Sequence, residues 1–250
     1  MKREKIVVSF TSWVERVKED IRPVIESILG GSIVPDEIIL NLSTEEWDGT
    51  RDADALHRLK DLEMFSEQHP EFRINMVDGP NTKCFKKFLP ILDAHKDDII
   101  ITIDDDIIYP VNFVEKLVEK FKEDATRPVT VSYYNYKGLI VMWGGGALYK
   151  ASFLEGWKEK ITDEIIGTYE DDWFYSYMLL INGIKPRICP DEIYYSPFVY
   201  MQYTYNNQMF SHDGYNTAHT IDVLDKWVKD QGLDTDELID KVFAKYKYSI

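Results

Sequence analysis

Three consecutive aspartates, Asp104, Asp105 and Asp106, follow the apolar run from Ile99 to Ile103, and the chain then returns to Ile107 and Ile108. Along an extended backbone alternate side chains share a face, so Asp104 and Asp106 are expected to point together and Asp105 away. Close carboxylates raise one another's pKa, which makes such a pair costly unless a cation neutralises it. Mg2+ or Mn2+ meets that need, since either takes oxygen ligands, few of them protein carboxylates, and leaves positions for waters and substrate phosphates. The plainer reading of a D-x-D is a solvated turn after a strand, but the apolar strand residues just before it favour function. A second acidic group, Glu170, Asp171 and Asp172, stands before Phe174, Tyr177, Met178 and Ile181 at helical spacing. It therefore occupies a first helical turn or cap, where capping and the helix dipole are reason enough for acids. Trp173 and Tyr177 read more readily as core than as a platform for a sugar.

These residues need a frame, and the chain alternates short β-branched runs with amphipathic ones. Residues 5–12, 36–43 and 72–78 read as strands, and residues 21–29, 53–65 and 82–95 as helices. The acid-bearing stretch 99–110 is a fourth strand. Pro110 suits a first helical position, and Phe113, Val114, Leu117, Val118 and Phe121 fall on one face of the helix that follows. Such a βαβ series predicts an α/β fold, a mostly parallel sheet covered by helices on both faces, with ligands bound at the strand C-terminal ends. After Thr130 the rhythm changes to mixed sheet and loops, with aromatic-rich extended segments to Tyr215. The last thirty residues read as two short amphipathic helices, carried by Val223, Leu224, Trp227 and Val228 and by Leu238, Val242 and Phe243.

Composition excludes several partners. At 250 residues and a net charge of −15, without a basic block, the chain has little with which to bind a nucleic-acid backbone or an anionic membrane. Cys84 and Cys189 lie apart in apolar surroundings and read as reduced thiols. No signal peptide or membrane-spanning run is seen, so a cytoplasmic protein with at most peripheral membrane contact is expected.

Five elements, in this order, resemble the GT-A fold, family 2 type, of nucleotide-sugar-dependent glycosyltransferases: "VVSFTSWVERV" with the helix ending near "SILGGSIVPDEIIL", "GPNTKCFKKFLPIL", "TIDDDIIYP", "GGGALYKASFL", and "EDDW" with "NGIK". The resemblance spans about Lys5 to Pro197. It implies a GT-A domain over residues 1–215, with a nucleotide-binding half at 1–110 and an acceptor half at 111–215, and leaves 216–250 as a helical extension. The family motif usually reads Glu-Asp-Trp with a glycine eleven residues past the Asp, and counting back from Gly183 reaches Asp172. Asp171 thus takes the usual Glu place.

What the resemblance implies is an inverting enzyme that uses Mn2+ or Mg2+, a UDP- or GDP-linked sugar donor and a carbohydrate or lipid-linked glycan acceptor. Asp106 would hold the metal, Asp104 would meet the ribose or nucleotide side, and Asp105 the metal shell or donor sugar. Asp172 would be the general base, with Asp171 and Trp173 toward the acceptor. Thr11, Ser12 and Arg16, after the first strand, are placed for base, ribose or phosphates. Lys83 at a helix start suits phosphate, or is a plain surface lysine. Asp78 caps its turn or binds nucleotide, and Gly144 to Gly146 let backbone approach the donor sugar or form a bulge. His212 is a candidate to complete a metal shell, with His219 next in line, although each also reads as an ordinary surface or core histidine. Aromatics between Tyr194 and Tyr215 suit stacking on sugars or packing. Two rival readings fit the acids less well. A haloacid-dehalogenase-like phosphohydrolase would place its D-x-D after the first strand and continue toward Gly-Thr, and a nonenzymatic metal-dependent carbohydrate-binding module would need no nucleotide cleft.

Overall fold

Strand β1, Ile6–Thr11, carries Val7, Val8 and Phe10 without solvent contact, and β2, Glu37–Ser43, does the same with Ile38, Ile39, Leu40 and Leu42. Both faces of these strands are covered, which is why they read as unbroken apolar runs rather than alternating ones. The computed structural model describes residues 3–131, 133–142, 145–189, 199–200 and 216–246. In it β3, Phe72–Val77, pairs parallel to β2, and β4, Ile99–Thr102, parallel to β1 with Ser9 opposite Thr102. Strands β6, Val129–Thr130, β9, Ala147–Tyr149, and β10, Arg187–Ile188, extend the sheet to the order β10-β6-β9-β4-β1-β2-β3. β9 runs antiparallel to both of its neighbours, so the sheet is mixed but mostly parallel. Two small additions stand outside it: β5, Ile107–Ile108, pairs with β11, Val199–Tyr200, and β7, Tyr133–Tyr136, forms a hairpin with β8, Leu139–Met142.

Helices α1, Val14–Val17, α2, Arg22–Leu29, α3, Thr44–Asp48, and α4, Ala53–Gln68, fill the first connections. Asp52 caps α4 by accepting from the amides of Asp54 and Ala55. The helix expected over 82–95 is instead two pieces, a 3-10 turn at Lys83–Lys87 and α5, Leu89–Ala94. Pro90 forces the break, since proline lacks the amide hydrogen and clashes with the carbonyl four residues back, and here it opens α5. Helix α6, Phe113–Glu123, buries the apolar face foreseen for it but starts three residues after Pro110, whose carbonyl accepts from Phe113 N–H at 2.9 Å. Gly146 has φ +132, and a Cβ there would stand 2.5 Å from Phe113 Cζ, so this member of the glycine run is required by packing against α6. Gly144 lies outside the described residues.

Two short helices, α7, Trp157–Lys160, and α8, Asp163–Ile166, lead to α9, Asp171–Ile181, which ends at Gly183 with φ +67. Helices α10, Thr217–Asp230, and α11, Thr235–Lys245, pack on α9. Tyr177 Oη donates to Asp225 at 2.8 Å, and Trp227 meets Phe174 at 5.7 Å between ring centroids. None of the described helices is long and apolar enough to cross a membrane.

Candidate active site

β4 ends at Thr102, and Asp105 and Asp106 form a turn before β5. Aspartate is a poor strand former and a good turn former, so the chain leaves the sheet where the acids begin. This corrects the extended-strand expectation that Asp104 and Asp106 pair on one face. Asp105 and Asp106 instead share Arg16 from α1, whose guanidinium lies 3.3 Å from Asp105 Oδ1 and 3.1 Å from Asp106 Oδ2. Ser12 Oγ donates to Asp105 Oδ2 at 2.6 Å. Asp104 faces elsewhere, with its amide donating to Tyr109 Oη at 3.0 Å and its carboxylate toward Lys87.

Lys87 closes the 3-10 turn, and its side chain is only 7% exposed. Its Nζ lies 3.3 Å from Asp104 Oδ1, 3.2 Å from Asp171 Oδ2 and 3.8 Å from Asp172 Oδ1. The contact with Asp171 is an ion pair whose angle falls short of a hydrogen bond. Burial alone would push this ammonium's pKa down, but the three carboxylates outweigh it and hold the pKa well above the usual lysine range. The two acidic groups, 64 or more residues apart in sequence, thus meet at one cation.

The second group sits at the start of α9. Asp171 is buried, with a side chain 4% exposed, and its pKa is raised, first by burial and against the pull of Lys87. Asp172 is more open, at 23%. The side chain of Glu170, at the N-cap position, makes no capping hydrogen bond, so capping does not account for this residue. Glu170 accepts from Thr217 Oγ1 at 2.7 Å, which ties α9 to α10, while its other oxygen is buried without a hydrogen bond among the described residues. Trp173, expected toward the acceptor, is 7% exposed and meets Tyr136 edge-on at 5.4 Å, a core position that leaves no ring face for a sugar. Two residues earlier on β7, Tyr134 is 50% exposed. Its phenol pKa is raised, by burial first and then by the charges of Asp172 and Glu170.

The remaining candidates divide. Thr11 Oγ1 donates to Asn41 O at 2.7 Å, and Asp78 accepts from Thr44 Oγ1 at 2.9 Å. Lys83 does not start an α-helix; it has φ +55 in the 3-10 turn and sets its ammonium 5.5 Å from the centroid of Tyr169. His212 lies outside the described residues, and His219 is an exposed residue of α10. Sequence reasoning missed Lys87 and the polar residues behind it, namely Ser9, Asn41 and Asn75. The available signal was a pair of lysines, Lys86 and Lys87, enclosed between Phe85 and Phe88, and both are buried.

Asp104 carries a charge the fold resists. Burial, with Asp106, Asp172 and Asp105 nearby, outweighs Lys87 and raises its pKa from 3.8 to about 7. Between those values the folded chain holds more protons than the unfolded one, so this residue costs stability as pH rises through the window, and the full cost is present above pH 7. Without metal or nucleotide, Asp104→Asn is expected to raise Tm at pH 8 and change it little at pH 4. Solvent at the open 31% of the side chain limits the gain to about 2–4 °C, on the order of 1 kcal/mol for a chain of this size. Thermal unfolding at the two pH values checks this, and a variant less stable than wild type at pH 8 contradicts it.

Among the described residues no three His, Cys, Asp or Glu side chains are set to enclose a metal ion. An all-protein cage is therefore not what these acids build. They do fit an ion shared with a ligand, because Asp106 keeps 33% of its side chain open while Arg16 covers the other side.

No protein-family model and no curated protein sequence matches the chain. Solved structures do. Mannosyltransferase PcManGT from Pyrobaculum calidifontis, in complex with GDP-Man and Mn2+, aligns over 100% of this chain and 77% of its own, with TM-score 0.56 and 14% identity. S. aureus TarS 1-349 in complex with UDP-GlcNAc aligns over 98% and 73%, with TM-score 0.62 and 10% identity. The same protein with UDP gives TM-score 0.60 at 10% identity over 98% and 72%. The chain has the GT-A-like glycosyltransferase fold.

Proposed function

We propose that this chain is an inverting glycosyltransferase that moves a sugar from a nucleoside-diphosphate donor, UDP- or GDP-linked, to a hydroxyl of a carbohydrate or lipid-linked glycan. One observation carries the reading. Acids from the nucleotide-binding half and from the acceptor half meet at Lys87, with Asp172 the more open of the α9 pair. The fold of solved nucleotide-sugar transferases supports it.

The donor would lie across the C-terminal ends of β1 to β4, against Ser12, Arg16, Asp104 and Asp105, with Thr11, Asp78 and Lys83 at the rim. A divalent ion at Asp106, Mn2+ or Mg2+, would when bound supply Lewis-acid stabilisation of charge on the donor's diphosphate. Asp172 serves as general base. The acceptor oxygen bonds to the anomeric carbon, the bond from that carbon to the phosphate oxygen breaks, the nucleoside diphosphate departs with the electron pair, and the acceptor proton goes to Asp172. Asp171, buried beneath it, supports the base rather than replacing it. Tyr134 offers the acceptor an aromatic face next to Asp172.

Thermal unfolding with Mn2+ and UDP or GDP tests this reading. Nucleotide at about 100 times its Kd stabilises a protein by about 2.7 kcal/mol, which corresponds here to a Tm rise of about 5–10 °C that requires the metal. Absence of a shift with every nucleoside diphosphate overturns it.

A further inference from the structure

Two segments from opposite halves of the chain meet beneath the acids. From the 3-10 turn, Phe85 packs on Phe174 at 5.9 Å, Phe88 just beyond it packs on Tyr175 at 3.7 Å, and Cys84 Sγ–H donates to Tyr169 O at 2.8 Å. The turn itself is anchored from the sheet. Ser9 in β1 donates to the carbonyl of Lys87 at 2.6 Å, Asn41 in β2 donates to Ser9 Oγ at 3.0 Å, and Asn75 in β3 donates to Asn41 Oδ1 at 2.8 Å. Buried polar side chains are costly unless fully bonded, so a chain of them across three strands holds its last member firmly. That last member is the backbone of Lys87.

We propose that Lys87 is a positioning residue of the active site, holding the carboxylate of Asp172 in place as base while it pins Asp171 in the interior. The inference rests on the glycosyltransferase reading and deepens it. Its ammonium faces Asp104, Asp171 and Asp172 together, and Cys84, Tyr109, Tyr149 and Tyr175 are further titratable groups that interact with its charge. An uncharged side chain of similar length would leave three acids without their shared counter-charge. Asp172 would then turn outward, where a base no longer meets the attacking oxygen in line. Ser12, Arg16 and Asp105 of the proposed donor site bond to one another and would be retained.

A double-mutant cycle separates positioning from general stability. Wild type, Lys87→Met, Asp172→Asn and the double variant are assayed for hydrolysis of UDP-N-acetylglucosamine and GDP-mannose with Mn2+, where water takes the acceptor's place, and for UDP and GDP binding. Lys87→Met is expected to lower kcat at least 10-fold with KM and nucleotide Kd within about 2-fold, and to cause no further loss once Asp172 is Asn. Equal fractional losses in both backgrounds, or an unchanged kcat, overturn the proposal. Should Lys87→Met fail to fold, Lys87→Arg keeps the charge but displaces it, and the same loss of kcat is expected. A wild-type kcat in the Arg variant overturns the proposal as well. A wild type that neither binds UDP or GDP nor hydrolyses either donor overturns the functional reading itself, and with it this role for Lys87.

Discussion

Replacing Asp172 by asparagine is expected to slow sugar transfer by about 10²- to 10⁴-fold, the usual worth of a positioned general base, while leaving metal-dependent nucleotide binding intact. The amide matches the carboxylate in shape and cannot take a proton at neutral pH. Its neighbour is the poorer candidate, because Asp171 is nearly closed to solvent and an acceptor hydroxyl could not reach it. Asp172 keeps an open edge, and its charge reaches the half-exposed Tyr134. Donor hydrolysis and nucleotide binding, measured on the same preparation, check the result. Transfer at the wild-type rate in this variant would remove the base assignment.

Asp106→Ala is expected to abolish the Tm shift that Mn2+ and nucleotide produce together, a weakening of at least about 100-fold, beyond the 10- to 100-fold cost of losing an outer partner of a metal ligand. The unliganded protein should unfold within about 2 °C of wild type, since Asp106 is a third open to solvent and Arg16 retains Asp105 as its partner. That pairing of outcomes distinguishes loss of a ligand from loss of the fold. Titration with Mn2+ at saturating UDP or GDP, followed by thermal unfolding, decides it, and a retained metal-dependent shift would assign the ion elsewhere.

Much of the frame was legible because burial writes itself into residue choice. The apolar runs of β1, β2 and β4 sit where both faces of a parallel sheet are covered, and α6 shows the stripe its sequence predicts. The misreadings have physical causes that were partly visible. Pro90 interrupts the segment over 82–95, and an uninterrupted helix ignored it. The five β-formers before the three aspartates favour a strand that runs on through 110, whereas the turn preference of the acids ends it at Thr102.

Lys87 was illegible for a different reason. Lysine is almost never buried unless paired, so Lys86 and Lys87 between two phenylalanines invite a reading as solvated side chains. What buries Lys87 is the convergence of Asp104 with Asp171 and Asp172, a tertiary fact that no local pattern records. The same holds for the acid turn, where Arg16 belongs to a helix nearly 90 residues earlier. Local propensity places the elements, and long-range charge pairing places the chemistry.

The Asn75–Asn41–Ser9 relay also has a direction. Every donor in it points the same way, from the sheet's outer strand inward, and Ser9 has a single hydrogen already committed to Lys87 O. A carboxylate at Asn41, although the same size, would confront an oxygen with nothing to give, and the polarity of the whole file would have to reverse. Asn41 and Asn75 stand directly opposite in the strand register, so a slip of one residue between β2 and β3 would unthread the relay. The site's geometry is therefore inherited from strand alignment, and forming the sheet correctly already forms much of the pocket.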